Sequence, residues 1–261
     1  MRNHVRAVAG AVAVLLAGAC GSTRLSDLPV PRPVPARSCL VIGFLGGNDR
    51  RDDETKGVRR LALRLREEPR VYTETFANRQ LGLALRFLEE ALDVDRSGKV
   101  EPLEAHRVRL VIYGQSLGGW ATVVFARLLQ GRDIPVHLTI QIDSVGADDG
   151  AIPPNVRYAA NLYQDEGSVI AGQHPIRPVD AASTRIVGEW EFDYDRPPGS
   201  QIEVDDQPWH KTFLRADHLR MDRDPRVWRT VQRLVEAACA GRDLERAAPE
   251  GAAGSPAEAV E

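Results

Sequence analysis

Apolar positions along this chain recur with two different periods, and the two take turns. "SCLVIGFLGG" (38–47) is a continuous apolar run closed by glycines, the pattern of a strand buried on both faces of a sheet. "DETKGVRRLALRLREE" then places Val58, Leu61, Ala62 and Leu65 at helical spacing. "RVYTETF" is rich in β-forming residues and predicts a strand. "NRQLGLALRFLEEALD" repeats Leu81, Ala84, Leu85, Leu88, Ala91 and Leu92, which predicts an amphipathic helix. "RVRLVIYG" reads as a strand, and "LGGWATVVFARLLQG" as a helix with Ala121, Val124, Phe125 and Leu128 on one face. "VHLTIQID", "YAANLYQ" and "TRIVGEWEF" predict further strands. "DPRVWRTVQRLVEAACAG" closes the pattern as a helix with Val227, Trp228, Val231, Leu234, Val235 and Ala238 in register. Strands alternating with helices predict an α/β fold, a mostly parallel central sheet with helices on both faces.

The alternation occupies residues 39–240, long enough for one domain with a large core, and no internal repeat interrupts it. The flanks follow neither period. Residues 1–19 combine a basic head, "MRNHVR", with a short apolar run and small residues, the marks of a signal peptide. The ending "LLAGAC" resembles the lipobox of bacterial lipoproteins, although Ala17 stands where leucine is commonest. That resemblance implies lipidation of Cys20, membrane attachment through the N-terminal lipid, and an extracytoplasmic place in the bacterial cell envelope. Residues 20–38, with several prolines, read as an extended tether, and 241–261 as a disordered tail.

Charge changes the picture only by exclusion. The net charge is -3, from 34 Lys and Arg against 37 Asp and Glu, and no basic stripe stands out along the chain, so no nucleic-acid partner is expected. Cys39 and Cys239 stand at opposite edges of the domain. They are either a bridge formed in an oxidising compartment or two isolated thiols.

Gly114-Gln-Ser116-Leu-Gly118 has the G-x-S-x-G spacing and sits between a predicted strand and a predicted helix. The glycines let strand and helix approach at a strained turn, and the helix start offers the backbone N–H of Leu117 to a developing oxyanion. Here the chain resembles the α/β-hydrolase superfamily: "GQSLGG" is similar to the "GHSLGG" of lipases and esterases, with Gln115 in place of histidine. The resemblance implies a serine hydrolase cleaving carboxylic esters, with Ser116 as nucleophile and no catalytic cofactor. It makes "LVIGFLGG" the strand feeding the oxyanion loop, with Gly47 favoured as the second N–H donor and Gly46 or Asn48 as alternatives. The superfamily order of serine, acid, histidine leaves His174, His210 and His218. Of these, His218 lies in "RADHLRMDRDP", a polar loop directly before the closing helix, where the superfamily keeps its base, and His210 comes second. Asp143, at the end of "LTIQID", is the favoured acid, and Asp165, Asp193 and Asp195 remain open.

"DVDRSGKVEPLE" (93–104) carries a second chemistry. Asp93, Asp95, Ser97, Lys99 (through its carbonyl), Glu101 and Glu104 occupy positions 1, 3, 5, 7, 9 and 12 of an EF-hand-like loop, with Gly98 at position 6. That pattern predicts a structural Ca2+ site, although Pro102 and the short "LEAHR" leave little room for an exit helix. The alternative is an Asx-rich turn without metal. The sequence therefore leads to a membrane-anchored hydrolase of small-molecule or lipid esters or of thioesters, or to a binding lipoprotein that keeps the fold without the chemistry.

Overall fold

The computed structural model describes residues 23–164, 172–204 and 216–247. Residues 1–22 with Cys20 among them, Asp165, His210 and residues 248–261 lie outside the described residues.

In chain order the strands are β1 (Cys39–Leu45), β2 (Val71–Ala77), β3 (Arg109–Gln115), β4 (Val136–Ile142), β5 (Ala151–Ile152), β6 (Val156–Tyr163), β7 (Arg177–Pro178) and β8 (Arg185–Glu191). The helices are α1 (Gly57–Leu65), α2 (Leu81–Leu92), α3 (Pro102–Ala105), α4 (Leu117–Gln130), α5 (Ala216–Arg223) and α6 (Pro225–Ala240). Six strands form one sheet in the order β2-β1-β3-β4-β6-β8, and every neighbouring pair is parallel. β5 and β7 make a separate two-stranded ribbon.

The unbroken apolar run of β1 follows from this burial. Leu40, Ile42 and Phe44 point into one core, shared with α2 and α4. Cys39, Val41 and Leu45 point into the other, shared with α1 and α6. With helices covering both faces, the fold is α/β with an all-parallel main sheet, as the alternation predicts. Helix α6 has clear ends: Asp224 accepts from the Arg226 N–H at 2.7 Å, Pro225 occupies the first turn, and Gly241 terminates the helix at φ 68°.

Two flanks differ from the sequence reading. Residues 23–38 are not an extended tether: Leu28, Val30 and Val34 are buried against α2, and the Val34 N–H donates to the Ala91 carbonyl at 2.8 Å. Arg32 fixes the segment by donating to Glu90 at 2.8 Å and to the carbonyls of Leu25, Leu28 and Val30. Prolines forbid a regular period here, yet apolar residues placed between them still fill a groove along α2. At the other end, residues 241–247 also belong to the folded body, with Leu244 buried.

Cys39 and Cys239 form a disulfide, with 5.2 Å between their Cα atoms and a sequence separation of 200. Cross-linking so long a loop removes much denatured-state entropy, about 2–5 kcal/mol in such systems. The Cys39→Ala/Cys239→Ala double variant should therefore melt about 5–15 °C lower by calorimetry. An unchanged melting temperature would show that the bridge contributes nothing. No helix among the described residues is long and apolar enough to cross a membrane.

Candidate active site

The order of the sheet fixes where a site can form. β1 connects outward to β2 on one side, and β3 connects to β4 on the other, so the chain reverses direction between β1 and β3. In such sheets the carboxyl ends of the strands flanking that switch point leave an open crevice. Gly46 and Gly47 follow β1, Ser116 follows β3 and Asp143 follows β4.

Ser116 sits at φ 61°, ψ -129° between β3 and α4, a region costly for a non-glycine residue. The neighbouring backbone over-determines that conformation. The Ser116 N–H donates to the Ile142 carbonyl at 2.9 Å, and the Ser116 carbonyl accepts from the Gly119 N–H at 2.8 Å. A Cβ at Gly114 would collide with the Gly118 carbonyl, and one at Gly118 with the Phe44 carbonyl. The glycines thus allow strand, helix and β1 to touch through backbone alone, which is the physical content of the G-x-S-x-G spacing.

His218 reaches this turn from α5. Its Nε2 lies 2.8 Å from the Ser116 Oγ, and its Nδ1 lies 2.6 Å from the Asp143 Oδ2. Ser116 is 5% exposed, His218 2% and Asp143 0%. Asp143 itself has φ 47°, and its N–H donates to the Leu162 carbonyl at 2.7 Å. The Gln164 side-chain amide faces the same carboxylate at 3.4 Å. The Ser116–His218–Asp143 line is what a hydroxyl nucleophile, a base and an orienting carboxylate require.

Those of the remaining candidates that are described lie elsewhere. Asp193 accepts from the N–H groups of Asp195 and Arg196 in a turn after β8. His174 stacks on Tyr163, with ring centroids 4.3 Å apart. Asp165 and His210 fall outside the described residues. One local expectation changes: "RADHLRMDRDP" is helical over α5, not a loop. Its buried face is Asp217, His218, Met221 and Asp222, so helical spacing is present but mostly in polar residues.

A cleft of about 170 Å³ opens over the serine, bounded by Gly46, Gly47, Asn48, Ser116, His218 and Asp222. Leu117 begins α4, where backbone N–H groups have no partner within the helix. Gly47 has φ 47° and faces open space, whereas a Cβ at Gly46 would come within 2.8 Å of the Ser116 Cβ. The Asn78 Nδ2 holds this turn through the carbonyls of Leu45 (3.1 Å) and Gly47 (2.6 Å).

Two supporting carboxyl groups were not legible as site residues. Asp222, one helical turn after His218, accepts from the Gly57 N–H at 3.0 Å and so ties α5 to the start of α1. Burial pushes its pKa up, against the Gly57 hydrogen bond and the nearby Lys56 and Arg60. Asp149 accepts from the Ser144 hydroxyl directly behind the Asp143 turn. Burial raises its pKa as well, opposed by the Ser144 bond. Only the i+4 spacing of Asp222 from His218 could have signalled either one.

The EF-hand-like loop lies at the far end of β3, seven residues from the serine turn, or about 20 Å at strand rise. Oxygens of Asp93, Asp95 and Glu104 lie within 4.8 Å of one another. The Ser97 hydroxyl donates to the Lys99 carbonyl at 3.0 Å, and Gly98 takes φ 80°. Glu101 does not join them: its carboxylate pairs with the Lys99 Nζ at 3.3 Å. Glu104 accepts from the N–H groups of Val94 (2.7 Å) and Glu101 (3.0 Å), and these donors hold its pKa below the usual value. The exit helix is the single turn α3. Three hard oxygen donors and a neighbouring hydroxyl fit Ca2+ in part, and position 9 does not.

No family model and no curated protein sequence matches the chain. Similar solved structures include a cutinase-like protein from Cryptococcus sp., with a TM-score of 0.44 and 13% identity, covering 80% of this chain and 99% of that one. Est1E from Butyrivibrio proteoclasticus has a TM-score of 0.34 and 14% identity over 61% of this chain and 80% of that one. RedJ, with a PEG molecule bound in its active site, has a TM-score of 0.35 and 12% identity over 82% and 95%.

Proposed function

We propose that the protein is a serine hydrolase of carboxylic esters. The observation that carries this reading is the buried hydrogen-bonded line from Asp143 through His218 to Ser116 at the carboxyl ends of the strands. The Ser116 Oγ attacks the ester carbonyl while the His218 Nε2 takes its proton. The Asp143 carboxylate accepts from the Nδ1–H, which fixes the tautomer and stabilises the imidazolium as it forms. Negative charge growing on the carbonyl oxygen meets the Leu117 N–H and the N–H of the 46–48 turn, with Gly47 as the favoured donor. His218 then returns the proton to the leaving alcohol, and water, deprotonated by the same nitrogen, releases the acid from the acyl-serine.

A panel of aryl esters of increasing acyl length tests this reading. Saturable turnover of at least one, above the spontaneous rate, is expected. A folded protein inert toward all of them would leave a non-catalytic binding protein instead.

The anchoring through Cys20 belongs to the same proposal and rests on the sequence alone. Cys20→Ser should move the protein from the detergent phase to the aqueous phase on partitioning, and unchanged partitioning would refute the lipid.

For the loop at 93–104 we propose a structural Ca2+ held by Asp93, Asp95 and Glu104, with the Ser97 hydroxyl and the Lys99 carbonyl beside them. The ion would screen carboxylates that otherwise repel across less than 5 Å. Its distance from Ser116 gives it no part in the chemistry. Ca2+ at a hundredfold excess over its dissociation constant adds about 2.7 kcal/mol to the folded state. The melting temperature should therefore rise with Ca2+, and Asp93→Ala with Glu104→Ala should abolish the rise. Indifference of the wild-type melt to millimolar Ca2+ and to chelator would reduce the loop to a turn.

A further inference from the structure

α1 and α6 cover the same face of the sheet, and a groove of about 770 Å³ runs along their seam. Arg60 and Arg64 enter it from successive turns of α1, Arg223 from the end of α5 and Arg229 from α6. Trp228 and Thr55 complete the part that matters, and no carboxylate among the described residues lines the groove.

The charges of Arg60, Arg64 and Arg229 are not cancelled by a neighbouring carboxylate among the described residues. Arg60 donates to the carbonyls of Thr55 and Asp222, and Arg223 donates to the Glu203 carbonyl at 3.1 Å. Among the described residues, Arg60, Arg64 and Arg229 have no ion pair within 4.0 Å. The guanidinium groups of Arg60, Arg64 and Arg229, sharing one concavity, repel one another until an anion enters, and their planar donor forks match phosphate-type oxyanions. The volume is that of a small-molecule site.

The groove also adjoins the catalytic cleft. Thr55 and Arg223 line the groove, while the residues next to them in sequence, Lys56 and Asp222, line the cleft over Ser116. A ligand spanning that shared wall would place its anionic end among the arginines and its ester at the serine. We propose that the groove recognises a phosphate group carried by the substrate, an inference that rests on the ester-hydrolase reading.

Titration calorimetry with tripolyphosphate at low salt measures the groove independently of turnover. Wild type and Ser116→Ala should bind alike, and Arg64→Gln/Arg229→Gln should bind at least about tenfold more weakly, as expected for losing two charge-assisted contacts. Both arginines are exposed, so circular dichroism should show an unchanged fold. In parallel, kinetics compare a phosphate-bearing aryl acetate with its uncharged parent. Wild type should favour the phosphorylated ester through a lower KM, and the double variant should lose that preference. Absence of tripolyphosphate binding, or equal binding by the double variant, overturns the groove. Binding without a kinetic preference overturns the assignment to the substrate. Failure of wild type to hydrolyse either ester, with tripolyphosphate still bound, sinks the hydrolase reading and with it the substrate assignment.

Discussion

Ser116→Ala is expected to lower kcat by on the order of a millionfold while leaving the fold intact, because removing the nucleophile of a cooperating triad abolishes what its other members can do. The structural cost should be small. The Ser116 side chain makes one hydrogen bond in its turn, to the His218 Nε2, and alanine keeps the backbone bonds to Ile142 and Gly119. Losing such a bond is worth about 1 kcal/mol, a shift of a few degrees in melting temperature. Steady-state kinetics on the best ester of the panel, with circular dichroism beside it, check both halves. Turnover within tenfold of wild type in the folded variant would end the proposal.

Asp143→Asn should cost about ten-thousandfold in kcat, with a much smaller change in KM. The isosteric amide still fills the buried pocket among Leu162, Gln164 and His218. Its NH2 facing Nδ1, however, favours the tautomer with the proton on Nε2, which then points a proton at the serine and cannot remove one. Asp193→Asn, in a turn after β8, should have little effect by comparison. If Asp165→Asn proved the more damaging change, the acid would belong to the following strand and the geometry at Asp143 would be structural only.

Much of this was written in the order of the residues. The alternating periods specify the sheet and its covering helices, since strands buried on both faces must be apolar throughout, and β1 is buried at all seven positions. The serine turn was legible because its glycines answer to backbone contacts that no side chain permits. Asp143 came from its place at the end of a strand and His218 from the chain order, and among the described candidates these two are joined to Ser116 in one hydrogen-bonded line.

What was not legible has a common cause. α5 turns polar residues inward toward the site, so hydrophobic periodicity cannot reveal it. Residues 23–38 pack through isolated apolar positions between prolines, a pattern shared by exposed linkers. The arginines of the groove come from 60–64 and 223–229, distant segments that form no stripe until α1 and α6 lie together. Asp149 acts through Ser144 in a turn where a polar residue ordinarily signals only solvent.

The most direct measurement is to treat the folded protein with a fluorophosphonate probe and locate the adduct by peptide mass spectrometry. The proposed mechanism predicts a single adduct on Ser116, reaching about one per chain and absent from Ser116→Ala, because only a hydroxyl activated by a base and faced by oxyanion donors is phosphonylated efficiently. An adduct on another serine, or none on a protein shown to be folded, would contradict it.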